Sequence, residues 1–165
     1  MNQVPPLRQA CLAAFRDALG TILLQAEELL FALAGQSSEG GTVDLHLDTL
    51  RYLRSLRSDG AQAITRHLAE QWEGGKPDAE VDPLVIQALG RLAVHAEAVH
   101  FETLAVIERG LRAAGAGAAV SMDDLRPQAL TSAIAAYLAE QPAPPAVQLL
   151  LVRLLDQLLV PAMDE

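Results

Sequence analysis

The run Val147-Gln148-Leu149-Leu150-Leu151-Val152-Arg153-Leu154-Leu155-Asp156-Gln157-Leu158-Leu159-Val160 decides the fold. On a helix of about 3.6 residues per turn its apolar side chains occupy most of the circumference. Such a helix is either surrounded by other helices or covered by a partner. A membrane-spanning helix would need about 20 apolar residues and no ionised group at mid-segment, where Arg153 and Asp156 stand. The segment must therefore be central or bound to something. Its apolar arc exceeds what one side of a small bundle covers, so Leu151, Leu155 and Leu158 are candidate contacts for a partner.

Working back from it, Gln141 to Pro145 is a break, and Asp123-Asp124-Leu125-Arg126-Pro127 reads as the entry to a short helix burying Leu130, Ile134, Tyr137 and Leu138. Three longer segments precede this pair. Asp82-Pro83 supplies a cap and a first-turn proline, and Val85, Leu89, Leu92, Ala96, Val99, Ile107 and Leu111 follow at helical spacing until Gly115-Ala116-Gly117. A second segment starts near Thr42 or Asp44 and places Leu50, Leu53, Leu56, Ile64, Leu68 and Trp72 on one side. Asp59-Gly60 interrupts it, but the apolar phase persists from Leu56 to Ile64, which favours one bent helix. The first segment, from about Pro6 to Ala34, repeats Leu7, Cys11, Phe15, Leu19, Ile22, Ala26, Leu30 and Leu33 at spacings of three or four. Gly20 within it allows a bend or a close helix contact, but the segment reads as one continuous helix. The expectation is one all-α domain over residues 1–165, an antiparallel bundle of three long and two shorter helices.

Composition agrees with helices. Of 165 residues, 51% are hydrophobic but only 4% aromatic, and Ala and Leu contribute 29 each. A net charge of −9 repels phosphate backbones, which argues against nucleic acid as a partner. A single cysteine rules out an internal disulfide and a Cys-based zinc cage. That, with no basic and apolar leader at the start and no stretch of about 20 apolar residues, points to the cytoplasm and away from membrane insertion.

The order of motifs resembles the proteobacterial family called domain of unknown function 1631. Leu30-Phe31-Ala32-Leu33-Ala34 is similar to that family's early Leu-Phe-x-Leu-Ala signature, and Leu50-Arg51-Tyr52-Leu53-Arg54-Ser55-Leu56-Arg57 to its Leu- and Arg-rich run. Ala96-Glu97 with Thr103 to Leu111, then Leu125 to Leu130, then Leu150 to Asp156 ending in Val160-Pro161, resemble the elements that follow. Members are several times longer, so this chain would match their N-terminal portion. The resemblance implies a helical fold and transfers no catalytic residue.

The densest group of potential ligands is His95 to Glu102, where Glu97 and His100 have the Glu-x-x-His spacing of dimetal bundles. That scaffold needs a second such pair, which the sequence lacks, and a solvated polar face is the competing reading. Arg51, Arg54 and Arg57 stand on adjacent turns and could hold a phosphate, a nucleotide messenger or an acidic helix. Pairing with acids such as Asp48 and Asp59 is the alternative. Cys11, among Leu7, Leu12 and Phe15, has no flanking His or Lys to lower its pKa and reads as a small apolar group. No Gly-x-Ser-x-Gly setting, catalytic triad or phosphate loop is present. The sequence thus points to a non-catalytic, cofactor-free interaction or regulatory module of the bacterial cytoplasm. It would bind a protein partner or itself through Leu151, Leu155, Leu158, Leu30 and Phe31, with a small-ligand, nucleotide or metal-binding bundle as the alternative.

Overall fold

A computed structural model describes residues 6–36, 40–57, 59–74, 80–113 and 122–159, apart from the side chains of Pro6, Arg57, Met122 and Leu159. The described residues form eight helices and no strand: α1 (Pro6–Gln36), α2 (Gly40–Arg57), α3 (Gly60–Trp72), α4 (Pro83–Val99), α5 (Phe101–Ala113), α6 (Met122–Leu125), α7 (Pro127–Glu140) and α8 (Pro145–Leu159). The all-α class holds, but only one of the three expected long rods is continuous.

That rod is α1, whose 31 residues span about 46 Å at 1.5 Å per residue. Gly20 makes no close contact, since a Cβ built there would meet nothing within 4 Å, and the helix runs through it unbroken. Leu7–Gln36 is also long and apolar enough to cross a membrane by length and composition, which a strict count of uninterrupted apolar residues misses. In this fold Leu19, Leu23, Ala26 and Leu30 of α1 are buried, and α1 packs against α2, α3 and α8.

The expected second helix is two. Asp59, at φ −135° and ψ −1°, leaves helical geometry, and α3 begins at the buried Gly60 beneath Leu23 and Tyr137. A Cβ at Gly60 would stand 3.4 Å from Leu23 Cδ1 and 3.5 Å from the Tyr137 hydroxyl. The apolar phase survives this break because α2 and α3 both face α1. Arg54 of α2 meets Glu27, and Arg8 near the start of α1 donates to the Trp72 carbonyl at the end of α3.

The third segment also divides. Asp82 accepts from Leu84 N at 2.9 Å and Pro83 takes the first helical position, as expected, but His100, at φ −98° and ψ 15°, separates α4 from α5. The hydrogen bonds nearly carry through: His100 N donates to Ala96 O and Leu104 N donates to His100 O, each at 2.9 Å. The junction is a kink rather than a loop. Further on, Pro127 forces Arg126 into extended backbone, φ −70° and ψ 151°, which isolates α6 as a single turn and starts α7.

The core is aliphatic. It joins Leu50, Leu53 and Leu56 of α2 to Ile64 and Leu68 of α3, Val85, Leu89 and Leu92 of α4, and Leu151, Leu154 and Leu155 of α8. Helix α8 is central, as its sequence required, and touches α1, α2 and α4. Helix α7 lies against α3 and α4 and buries seven residues. Two polar clusters tie the helix ends. Trp72 Nε1 donates to Asp124 O at 2.9 Å while its ring meets Phe15 edge-on. Tyr52 donates to Gln141 O at 2.6 Å, and the buried Gln148 amide donates to Leu138 O at 3.2 Å and Gln141 O at 3.3 Å. These carbonyls end α7, where no further helical turn is available to satisfy them.

Candidate functional site

The surplus apolar arc read on α8 is absorbed by the bundle. Leu151 and Leu155 are core residues, the latter 4% exposed, because three helices cover α8. Leu30 is fully buried on α1. These three are therefore not partner contacts. Leu158 is half-buried and packs against the core. Phe31 alone of the group stands in solvent, 68% exposed, with Leu24 seven residues earlier on the same side of α1 and also exposed.

The arginine triplet is likewise divided. Arg54 Nε donates to Glu27 Oε1 at 2.9 Å, and Arg51 lies 3.5 Å from Asp48 Oδ1, a carboxylate on its own helix. The Arg57 side chain lies outside the described residues. The two described arginines thus point to separate acids rather than to a shared anion. Of the candidate metal pair, Glu97 accepts from Arg126, which anchors the start of α7 to the end of α4, and His100 forms the kink between α4 and α5. Among the described residues no group of three or more His, Cys, Asp or Glu side chains is placed to hold a metal ion. Burial pushes the Cys11 thiol pKa up, the opposite of what a nucleophile needs.

What the bundle leaves uncovered is α5. None of its residues is fully buried, and among the described helices it packs appreciably against α4 alone, its chain neighbour. Leu104, Ile107 and Leu111 fall at spacings of three and four and form one apolar stripe, while Glu102, Arg109 and Arg112 lie on the other side. Val99 and Phe101 at the kink and Val106 add exposed apolar surface. The polar contacts of α5 are within itself: Arg112 donates to Glu108 at 2.7 Å, and Arg109 to Ala105 O at 3.4 Å. A 13-residue helix with one such pair is marginal in water without tertiary cover. The sequence placed Val99, Ile107 and Leu111 on one face with Val85, Leu89 and Leu92, and the change of environment at His100 is invisible in a periodicity that continues across it.

Two shallow grooves flank α4. One, against α7, is floored by Gly90, Ala93, Ser132 and Ala135. The other, against α8, is bordered by Arg91 and Arg153. The buried Tyr137 and the half-buried Tyr52 supply the remaining perturbed groups. Burial raises the Tyr52 pKa, partly offset by its contact with Gln148. Burial and the Asp59 carboxylate push Tyr137 up to about 12. Comparison of the chain with protein-family models, curated proteins and solved structures gives no match.

Proposed function

We propose that the chain is a non-catalytic helical interaction module that binds a polypeptide, a protein partner or a second copy of itself, through the apolar face of α5. The observation that carries this reading is the Leu104, Ile107 and Leu111 stripe, half-buried at Leu104 and Leu111 and exposed at Ile107, on a helix none of whose residues is fully buried. An amphipathic helix laid against a partner's groove or a partner's helix buries such a stripe at i, i+3 and i+7. Supporting it, burial pushes the pKa of the one thiol up, away from its reactive form. Phe31 and Leu24 on the outer side of α1 are a second, smaller apolar surface. On this reading α1 is a bundle helix rather than a membrane span, the setting is cytoplasmic, and short connections return successive segments antiparallel. The likeness to the N-terminal portion of domain of unknown function 1631 proteins enters at the same level, resting on motif order alone.

The test compares the chain with Ile107→Glu by light scattering after size exclusion, and by affinity capture from lysate of its source cells. Ile107 is in no core contact, so the variant should keep its helicity and its thermal midpoint. The expected result is a complex, of two copies or with one stoichiometric protein, that Ile107→Glu abolishes. A chain that is monomeric and captures nothing, or a complex indifferent to Ile107→Glu, overturns the reading.

A further inference from the structure

We infer that the groove between α4 and α8 binds a compact oxyanion, a carboxylate or phosphate ester, carried on a short apolar body and clamped between Arg91 and Arg153. Among the arginines whose side chains are described, these are the two left over once the others are paired. In a chain with 12 basic and 21 acidic residues, cations should find carboxylates readily, and most described arginines do. Arg54 has Glu27, Arg126 has Glu97, Arg112 has Glu108, and Arg66 lies near Glu70 and Glu140. Arg8 and Arg109 instead donate to main-chain carbonyls. Arg91 and Arg153 have no hydrogen-bond or ion-pair partner among the described residues, and both line one groove.

The His95–Asp156 contact fixes where they stand. His95 Nδ1 donates to Asp156 Oδ1 at 3.1 Å, joining α4 to α8. Arg91 lies four residues before His95 on α4, and Arg153 three residues before Asp156 on α8, so each is one turn from this contact on its own helix. Asp156 also lines the groove, but His95 already engages it, and two guanidinium groups exceed one carboxylate. Two like charges bordering a depression repel unless an anion lies between them, and planar guanidiniums match the paired oxygens of carboxylate and phosphate. Gln87 offers a further amide. Leu84, Ala88, Leu149 and Val152 make the rest of the lining apolar, so a bare inorganic ion would leave it unfilled. The volume, about 290 Å³, is at the lower edge of small-molecule sites and suits a ligand of short reach.

The test is calorimetry and thermal shift on the full chain with four probes: phenyl phosphate, hexanoate, inorganic phosphate, and hexanol as a body without charge. Phenyl phosphate or hexanoate should bind and raise the thermal midpoint, the tighter of the two identifying the preferred headgroup. Inorganic phosphate should bind more weakly, and hexanol not at all. Arg91→Gln and Arg153→Gln should each weaken binding about tenfold, the loss expected of a charge-assisted pair. Arg51→Gln, which alters an exposed arginine on α2, should change nothing. Because Arg91 and Arg153 are exposed, both variants keep the fold, which circular dichroism checks. Absence of binding by either organic anion up to about 10 mM, a range that still detects very weak sites, overturns the inference. Binding that survives in the Arg91→Gln/Arg153→Gln double variant does the same.

Discussion

Replacing Tyr137 with Phe removes one oxygen atom from the interior and makes a prediction whose size depends on pH. The ring is 3% exposed, over Gly60 at the start of α3, and its hydroxyl finds no partner in hydrogen-bonding geometry among the described residues. At neutral pH a buried hydroxyl without a partner costs free energy that Phe does not, so Tyr137→Phe should be more stable by about 1 kcal/mol. At high pH the gap should widen. Burial first, then the negative charge of Asp59, pushes the phenol up to about 12 from an ordinary 10. Below pH 10 both folded and unfolded tyrosine keep the proton. Between 10 and 12 the unfolded chain releases it while the folded chain holds it, so stability falls as pH rises.

The loss amounts to about 1.4 kcal/mol at pH 11 and approaches about 2.7 kcal/mol above pH 12, at about 1.36 kcal/mol for each pH unit that separates the folded from the unfolded pKa. Tyr137→Phe has no such loss. Tyr52, whose pKa is also raised, titrates in both proteins, and its phenolate charge is one of the groups that push Tyr137 up, so the difference includes that coupling. Urea unfolding of the two proteins at pH 7, 9, 10.5 and 11.5 gives the comparison directly. Should Tyr137→Phe be less stable at pH 7, the hydroxyl has a good acceptor, Asp59 being the candidate, and the argument from an unsatisfied group fails. Parallel stability curves through the alkaline range would show instead that the phenol reaches solvent.

Two further substitutions test the packing. Gly20→Ala should stabilise the chain by about 1 kcal/mol, since Gly20 is exposed within a continuous helix and an added Cβ meets nothing within 4 Å; no rise in the thermal midpoint would mean that α1 is not helical there. Leu155→Ala should cost about 2–5 kcal/mol in chemical unfolding because the residue lies in the core, whereas a loss under about 1 kcal/mol would return Leu155 to the surface that its sequence setting suggested.

Periodicity made the buried faces legible more reliably than it located the breaks. The apolar series from Leu50 to Trp72 correctly marks one side facing α1, yet it says nothing of the backbone at Asp59, because two helices facing the same neighbour keep one phase. The local sequence did hold the cue, an Asp-Gly pair, but not the neighbour that lies over Gly60, Tyr137, which comes from 77 positions away in the chain. Capping was legible where one residue suffices, as at Asp82 and Pro83. The surplus apolar arc of α8 was real, and the error lay in its occupant. From one helix it is not apparent that α1, α2 and α4 all converge on it. Arg91 and Arg153 were unreadable as a pair for the same reason: 62 residues apart, they share a groove only because α4 packs on α8.

The placement of polar ties separates the bundle from α5 energetically. Trp72 with Asp124, Tyr52 and Gln148 with the end of α7, and Arg126 with Glu97 each fasten one helix end to a distant segment. Helix α5 contributes no buried residue, and its polar contacts are internal. Its unfolding therefore exposes little that the bundle needs and should open at far lower free energy than the core. Amide exchange in Phe101–Ala113 of the isolated chain should accordingly be fast, beside slow exchange in α7 and the middle of α1. Binding through the Leu104, Ile107 and Leu111 stripe would slow exchange in that segment while leaving the core amides nearly unchanged. Protection that appeared equally across the core would mean that the partner grips the bundle elsewhere, with Phe31 and Leu24 the next surface to alter.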